Sequence, residues 1–268
     1  MTDLDTPAAQ PADLLTRFDA ARARDDFDGA PAERDGPVVR VEYPHGGFIA
    51  TPSDTGLRGA DLDALIARQR DHFAARGTRV EWKTYAYDEP ADLTARLEAA
   101  GFVAEERETV VVGPVAALSG HPADVDGVTI RETAALDDFV AIGALQSEVW
   151  ADDWSWLADD LRDRAARVGP DGFRVFVAEA DGRLVSAAWL VLRDGTEFAS
   201  LWGGSTLEAY RGRGIYRALV ARRAALARDA GYAYLQVDAS DMSRPILERL
   251  GFVALTTTTP YVFEPVAD

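Results

Sequence analysis

Tyr210-Arg211-Gly212-Arg213-Gly214-Ile215-Tyr216-Arg217-Ala218-Leu219 stands between an apolar run and a long amphipathic segment. The first N–H groups of a helix have no intrahelical acceptor, and the aligned peptide dipoles add partial positive charge there. A phosphate fits such a place. Gly212 and Gly214 remove the Cβ atoms that would hold an anion off, and Arg211, Arg213 and Arg217 put charge on the rim. Taken alone, the same residues also suit an ordinary glycine-rich turn between a strand and a helix. The flanking sequence separates the two readings.

Upstream, Phe173 to Ala180 and Leu184 to Leu192 flank Asp181-Gly182, a hairpin signal, and Glu197 to Thr206 reads as a third strand leading into the arginine turn. Downstream, the spacing predicts a helix from Ile215 to Ala230, a strand from Tyr234 to Asp238, a short helix from Pro245 to Leu250 and terminal strands from Phe252 to Phe263. Before the hairpin come a strand at 128–130 and helices at 135–149 and 157–168. The first part reads as a peripheral helix through Leu14 and Phe18 and a proline-broken loop to residue 37. Strands follow at 38–43 and 48–51, then a helix at 61–76, a strand at 80–87, a helix at 90–100 and a strand at 109–112. Alternating helices and strands predict a mixed α/β fold.

The chain repeats itself. Leu97-Glu98-Ala99-Ala100-Gly101-Phe102-Val103-Ala104 recurs as Leu247-Glu248-Arg249-Leu250-Gly251-Phe252-Val253-Ala254, each time after a long helix, a strand and a short helix. Matched order implies duplication. The boundaries are then 1–37 for the N-terminal helix and loop, 38–114 for the first copy, 115–127 for a linker and 128–268 for the second. In the first copy Gly56-Leu57-Arg58-Gly59-Ala60 precedes the long helix without an arginine cluster, so that copy is expected to be degenerate.

Composition excludes several classes of function. A formal charge of −17 argues against nucleic acid and anionic membranes as partners, and it makes the arginine turn stand out. No apolar run reaches the length of a membrane span, and no secretory pattern follows Met1, so a cytoplasmic location is expected. With no cysteine and with His45, His72 and His121 scattered, no metal site is expected. Lys83 is the one lysine among 28 basic residues.

Residues 128–263 resemble the GNAT superfamily of acyl-CoA-dependent N-acyltransferases. The element order matches, and so do Arg211 and Gly214 of the family's phosphate fingerprint; Tyr216 departs from its small last residue. The resemblance implies a GNAT fold, two tandem GNAT-like domains with only the second functional, and acetyl-CoA as co-substrate. It places the pantetheine arm against Gly204, Ser205 and Thr206, with Gly203 either beside them or simply forming a bulge. The pyrophosphate would lie over Arg211, Gly212, Arg213, Gly214, Ile215, Tyr216 and Arg217, and Arg222 or Arg223 would either meet the nucleotide phosphate or be solvated.

Transfer to an amine needs a base, oxyanion donors and a proton for the thiolate. Glu197 is the candidate base, with an exposed strand-end carboxylate as the alternative. Leu247 occupies the position of the family's acid tyrosine, which leaves Ser240 or Ser243 through water, Tyr216, or no acid at all. Asp238 is placed either to meet the amine or to cap the next helix. Trp150, Trp154 and Trp202, with Trp156, are candidates for the acceptor wall. Glu148, Asp152 and Asp153 would either select an ammonium group or form a solvated turn. A small-molecule amine is the expected partner, with a protein or peptide amine, or a non-catalytic acyl-CoA sensor, as the alternatives, and a homodimer stays open.

Overall fold

The computed structural model describes residues 10–24, 27–121 and 123–265, so the outer ends of the 1–37 and 128–268 segments fall outside the described residues. The strands are β1 (Ala32–Asp35), β2 (Val38–Tyr43), β3 (Gly46–Ala50), β4 (Val80–Tyr85), β5 (Val103–Ala104), β6 (Glu108–Pro114), β7 (Thr129–Thr133), β8 (Phe173–Ala180), β9 (Arg183–Leu192), β10 (Phe198–Thr206), β11 (Tyr234–Ala239) and β12 (Val253–Phe263). The helices are α1 (Pro11–Arg22), α2 (Gly59–Ala74), α3 (Leu93–Ala99), α4 (Val115–Leu118), α5 (Leu136–Trp150), α6 (Leu157–Val168), α7 (Ile215–Asp229) and α8 (Arg244–Arg249). All but β5 lie in one path, β1-β2-β3-β4-β12-β6-β11-β10-β9-β8-β7, and β5 pairs with β12.

The two copies also share a pattern of strand pairing. β2 and β3 pair antiparallel and β3 joins β4 in parallel; β9, β10 and β11 repeat that pattern in the second half. At the seam the halves trade strands. β6 of the first half pairs with β11 of the second, and β12 of the second pairs with β4 of the first. The two strands also pair with each other. A boundary at 114/128 therefore divides the chain but not the sheet.

Two local expectations fail for identifiable reasons. The stretch broken by Pro31 and Pro37 carries β1, because Gly36 at φ +62° lets the chain turn back and pair Asp35 with Val38. The start of the linker is likewise structured: β6 runs up to it at Pro114, and α4 buries Val115 and Leu118 against α7 and Phe252.

Strand alternation sorts the side chains into two layers. Val111, Ala199, Leu201, Leu235 and Ala239 face α7 and α8, while Val80 and Trp82 face α2 and α3. The opposite face takes Phe18 of α1 against Val110, Val112 and Phe198. This face is concave. Lys83 on β4 reaches Asp238 on β11 although β12 and β6 lie between, and His45 of the β2–β3 turn meets Asp160 of α6 at 3.2 Å. Both contacts need the sheet to curl around the α1 side.

Candidate active site

β10 and β11 pair only over Phe198 to Ser200 and Tyr234 to Gln236, and then part. β10 also slips against β9 between Trp202 and Ser205. Three groups hold this bulge. Gly203 sits at φ +62°, and a Cβ there would lie 1.9 Å from the Trp189 ring. Gln146 of α5 donates to the Gly203 carbonyl at 3.1 Å and accepts from Ser205 Oγ at 2.7 Å and Trp150 Nε1 at 2.8 Å. Arg223, buried under the bulge, donates to the carbonyls of Trp189 and Trp202 at 3.1 and 3.3 Å. Burial pushes its guanidinium down to about 10, so it remains charged at neutral pH.

Past the bulge, a short 3-10 turn at Glu208–Tyr210 delivers the arginine turn to the start of α7. Gly212 and Gly214 have φ of +76° and +89°, which L side chains rarely adopt. Among the described residues, no acceptor is found for the N–H groups of Arg213, Gly214, Ile215, Tyr216 and Arg217. Tyr210 donates to Asp181 at 2.8 Å and supports the Arg213 guanidinium, 4.8 Å from its ring centre. Arg211 turns inward and donates to the Thr206 carbonyl at 3.1 Å, so it holds strand to turn. A cleft of about 470 Å3 opens beside Arg213, Gly214 and Arg217, with His121, Asp124, Val125 and Asp126 on its other wall. His121 and the linker lie too far along the chain to be linked to the turn from spacing.

The first half is built differently at the matching point. The Asp54 carboxylate accepts from the Gly56 N–H at 2.8 Å and pairs with Arg58, and Thr55 Oγ1 accepts from the Leu57 N–H. These bonds to Arg58 and Gly56 hold Asp54 down to about 2. The chain's own carboxylate thus takes up Arg58, the arginine that immediately precedes α2.

Several sequence-predicted site residues lie elsewhere or are engaged. Glu197 precedes β10 at the end remote from the bulge, exposed and paired with Arg17 at 3.3 Å, as the strand-end alternative has it. Arg223 is neither a phosphate ligand nor solvated, and Arg222 pairs with Asp124 at 3.0 Å. Asp238 caps no helix: Lys83 Nζ lies 2.7 Å from it and Gln236 donates to it at 2.8 Å. Ser240 and Ser243 bond each other in the turn before α8. Leu247 is fully buried. Trp154 stacks on Trp156 and Trp156 on His45, so these rings join the halves. Trp150 is tied to Gln146 and Ser205 through its indole N–H yet stays 46% exposed, and Trp202 is 40% exposed near Arg164. Glu148 pairs with Arg183 on the surface, and Asp152 and Asp153 cap their own turn. The Tyr216 ring lies over Gly204, where a Cβ would come within 2.6 Å of it, and burial raises its phenol.

Residues 139–252 match the model of the Acetyltransferase (GNAT) family. The chain carries a GNAT acetyltransferase domain. Along nearly its whole length the chain shares its fold with a GCN5-related N-acetyltransferase from Kribbella flavida, at 18% identity, TM-score 0.67 and 97% coverage of both chains. A tandem GNAT protein from the clavulanic acid biosynthesis pathway superposes with TM-score 0.61 at 15% identity, over 93% of this chain and 88% of that one. A functionally unknown conserved protein from Staphylococcus epidermidis gives 0.64 at 14%, over 90% and 97%. No curated protein matches the chain. The GNAT domain makes this a GNAT-type transferase, and acetyl transfer from acyl-CoA is the chemistry of that family. Among the described residues no helix is long and apolar enough to cross a membrane, and no cluster of histidine and acidic residues is arranged to hold a metal ion.

Proposed function

We propose that the second half binds acetyl-CoA and passes its acetyl group directly to the amine of a small molecule. The observation that carries this reading is the row of unpartnered N–H groups from Arg213 to Arg217, set beside the parting of β10 and β11. Backbone donors and the side chains of Arg213 and Arg217 hold the pyrophosphate there. The pantetheine arm then runs from the α7 side between the parted strands, along Gly204 to Thr206. Its thioester end emerges on the concave face. The peptide N–H of Tyr216 stays available despite the large side chain, and its phenol is the proton donor for the leaving thiolate.

A small acceptor is favoured over a polypeptide because the concave face is flanked on two sides. α1 crosses one end, and the ladder Trp154–Trp156–His45–Tyr43 joins the halves at another. Trp202 supplies an exposed ring on that face for the acceptor to rest on. With Arg58 engaged by Asp54 and no arginine cluster before α2, the first half binds no CoA and serves as a wall of the second half's site.

Calorimetric titration with acetyl-CoA, followed by a thiol-release screen over small amines, polyamines, aminoglycosides and peptides, tests the reading. Binding of one equivalent per chain with CoA release is expected. Binding without release across the panel would instead mark an acyl-CoA sensor, and absence of binding would remove the pyrophosphate assignment.

A further inference from the structure

On the concave face a polar chain crosses the seam between the halves. Ser200 Oγ, at the last pair before β10 and β11 part, donates to Gln236 Oε1 at 3.0 Å. Gln236 Nε2 donates to Asp238 at 2.8 Å, and the Lys83 ammonium meets the other Asp238 oxygen at 2.7 Å. Beside them, 4.0 Å from Lys83 Nζ, is the carboxylate of Glu108. Asp238 and Lys83 have side chains only 14% and 13% exposed and satisfy each other; Glu108 is 30% exposed and is the carboxylate of this group left open.

Its position follows from the strand exchange. β6 belongs to the first half but pairs with β11 so that Thr109 lies opposite Ala239, which sets Glu108 beside the end of the strand lining the parted mouth. Alternation then points it to the concave face, together with Val110, Val112, Gln236 and Asp238. A thioester reaching through from the α7 side arrives at this mouth. No acidic side chain of β10 faces it, since β10 presents only Ser200 and Trp202 there.

We propose that Glu108, carried across the seam by β6, is the general base of acetyl transfer in the second half's site. This rests on the acetyltransferase reading above. Glu108 takes one proton from the incoming ammonium, freeing the nitrogen lone pair. Nitrogen bonds to the thioester carbon, the carbon–sulfur pair leaves with sulfur, and the second amine proton ends on the thiolate. The products are the acetamide, the free thiol and a protonated Glu108, which returns its proton to water.

The surroundings suit the task. Burial pushes the Glu108 carboxyl up to about 7; Lys83 opposes that, while Asp238 on neighbouring β11, Glu81 on β4 and Glu106 on its own approach add to it. Arg244 of α8, bonded to Thr109 Oγ1 at 3.3 Å, is the other charge close by. A base of this strength is poised for proton transfer at neutral pH.

The test uses the full chain, acetyl-CoA and two kinds of nucleophile. Benzylamine, tryptamine and spermidine are protonated at pH 7 and need a base; hydroxylamine is already uncharged there. Glu108→Gln should bind acetyl-CoA as the native chain does and lose about a hundredfold in kcat/KM with the protonated amines. It should lose the acidic limb near pH 7 and keep hydroxylamine acetylation within a few fold. Glu108→Asp should restore part of the limb. Equal losses with both kinds of nucleophile, or an unchanged pH profile, would overturn the role of Glu108 while leaving the acetyltransferase reading intact. A native chain that binds no acetyl-CoA, or acetylates none of these probes, would overturn that reading and the base with it.

Discussion

Single residues hold the bulge on which the site depends. Arg223 spends its charge on two main-chain carbonyls that β10 exposes when it slips against β9, and Gly203 makes room for the Trp189 ring. Arg223→Met keeps the stem volume but leaves both carbonyls buried and unpaired, and should cost about 2 kcal/mol in urea unfolding. Gly203→Ala would drive a methyl group into the ring at a left-handed backbone position, with a loss of about 3 kcal/mol by the same measurement. Glu108 behaves oppositely. Its carboxyl is raised, so the native state loses stability as pH rises from the unfolded value near 4.5 through about 7. Glu108→Gln should therefore be at least as stable as the native chain at pH 8 and lose that advantage below pH 5, as thermal melts at the two pH values would show. A Glu108→Gln variant that melts lower at pH 8 would mean that Lys83 depends on Glu108 more than on Asp238.

The arginine turn works as an element because its side chains have different tasks. Arg211 fastens the turn to β10, whereas Arg213 and Arg217 make no ion pair among the described residues and remain available to an anion. Arg213→Ala and Arg217→Ala should each weaken acetyl-CoA binding about tenfold, increasingly so at low salt. Gly214→Glu, which places a carboxylate among the donors and an L side chain at a left-handed backbone position, should cost about a hundredfold or more in affinity and lower the melting temperature by several degrees. Equal affinity in that variant would remove the phosphate from this turn. The turn was legible in the sequence because its glycines and arginines are local, as were nearly all helices and the hairpin at Asp181-Gly182. Side-chain partners were not. Asp238, Ser200 and Trp156 carry the right chemistry, yet each is engaged by a residue from a distant segment: Lys83, Gln236 and His45. Arg223 reads as one of several helix arginines until the bulge above it is seen.

At the scale of the molecule, the recurring Leu-Gly-Phe element revealed duplication but not the exchange of strands, because pairing between β6 and β11 leaves no periodicity in either strand. The exchange changes what a half of this chain is. The first half alone leaves one side of β4 open and β6 with no strand beside it, and the second alone leaves one side of β11 open and β12 with no neighbour of its own half. Exposed edges of apolar strands such as Val110-Val111-Val112 favour aggregation over folding. The full chain should thus unfold in urea as one cooperative transition, with tryptophan fluorescence reporting Trp82 in the first half and Trp189 in the second at the same midpoint. A chain divided within residues 119–127 should give insoluble halves when each is made alone and a soluble pair when both are made together. Two separated transitions, or a soluble second half that binds acetyl-CoA by itself, would mean that β6 is dispensable to the sheet, and the seam would then be a contact between finished domains instead of the place where the fold is completed.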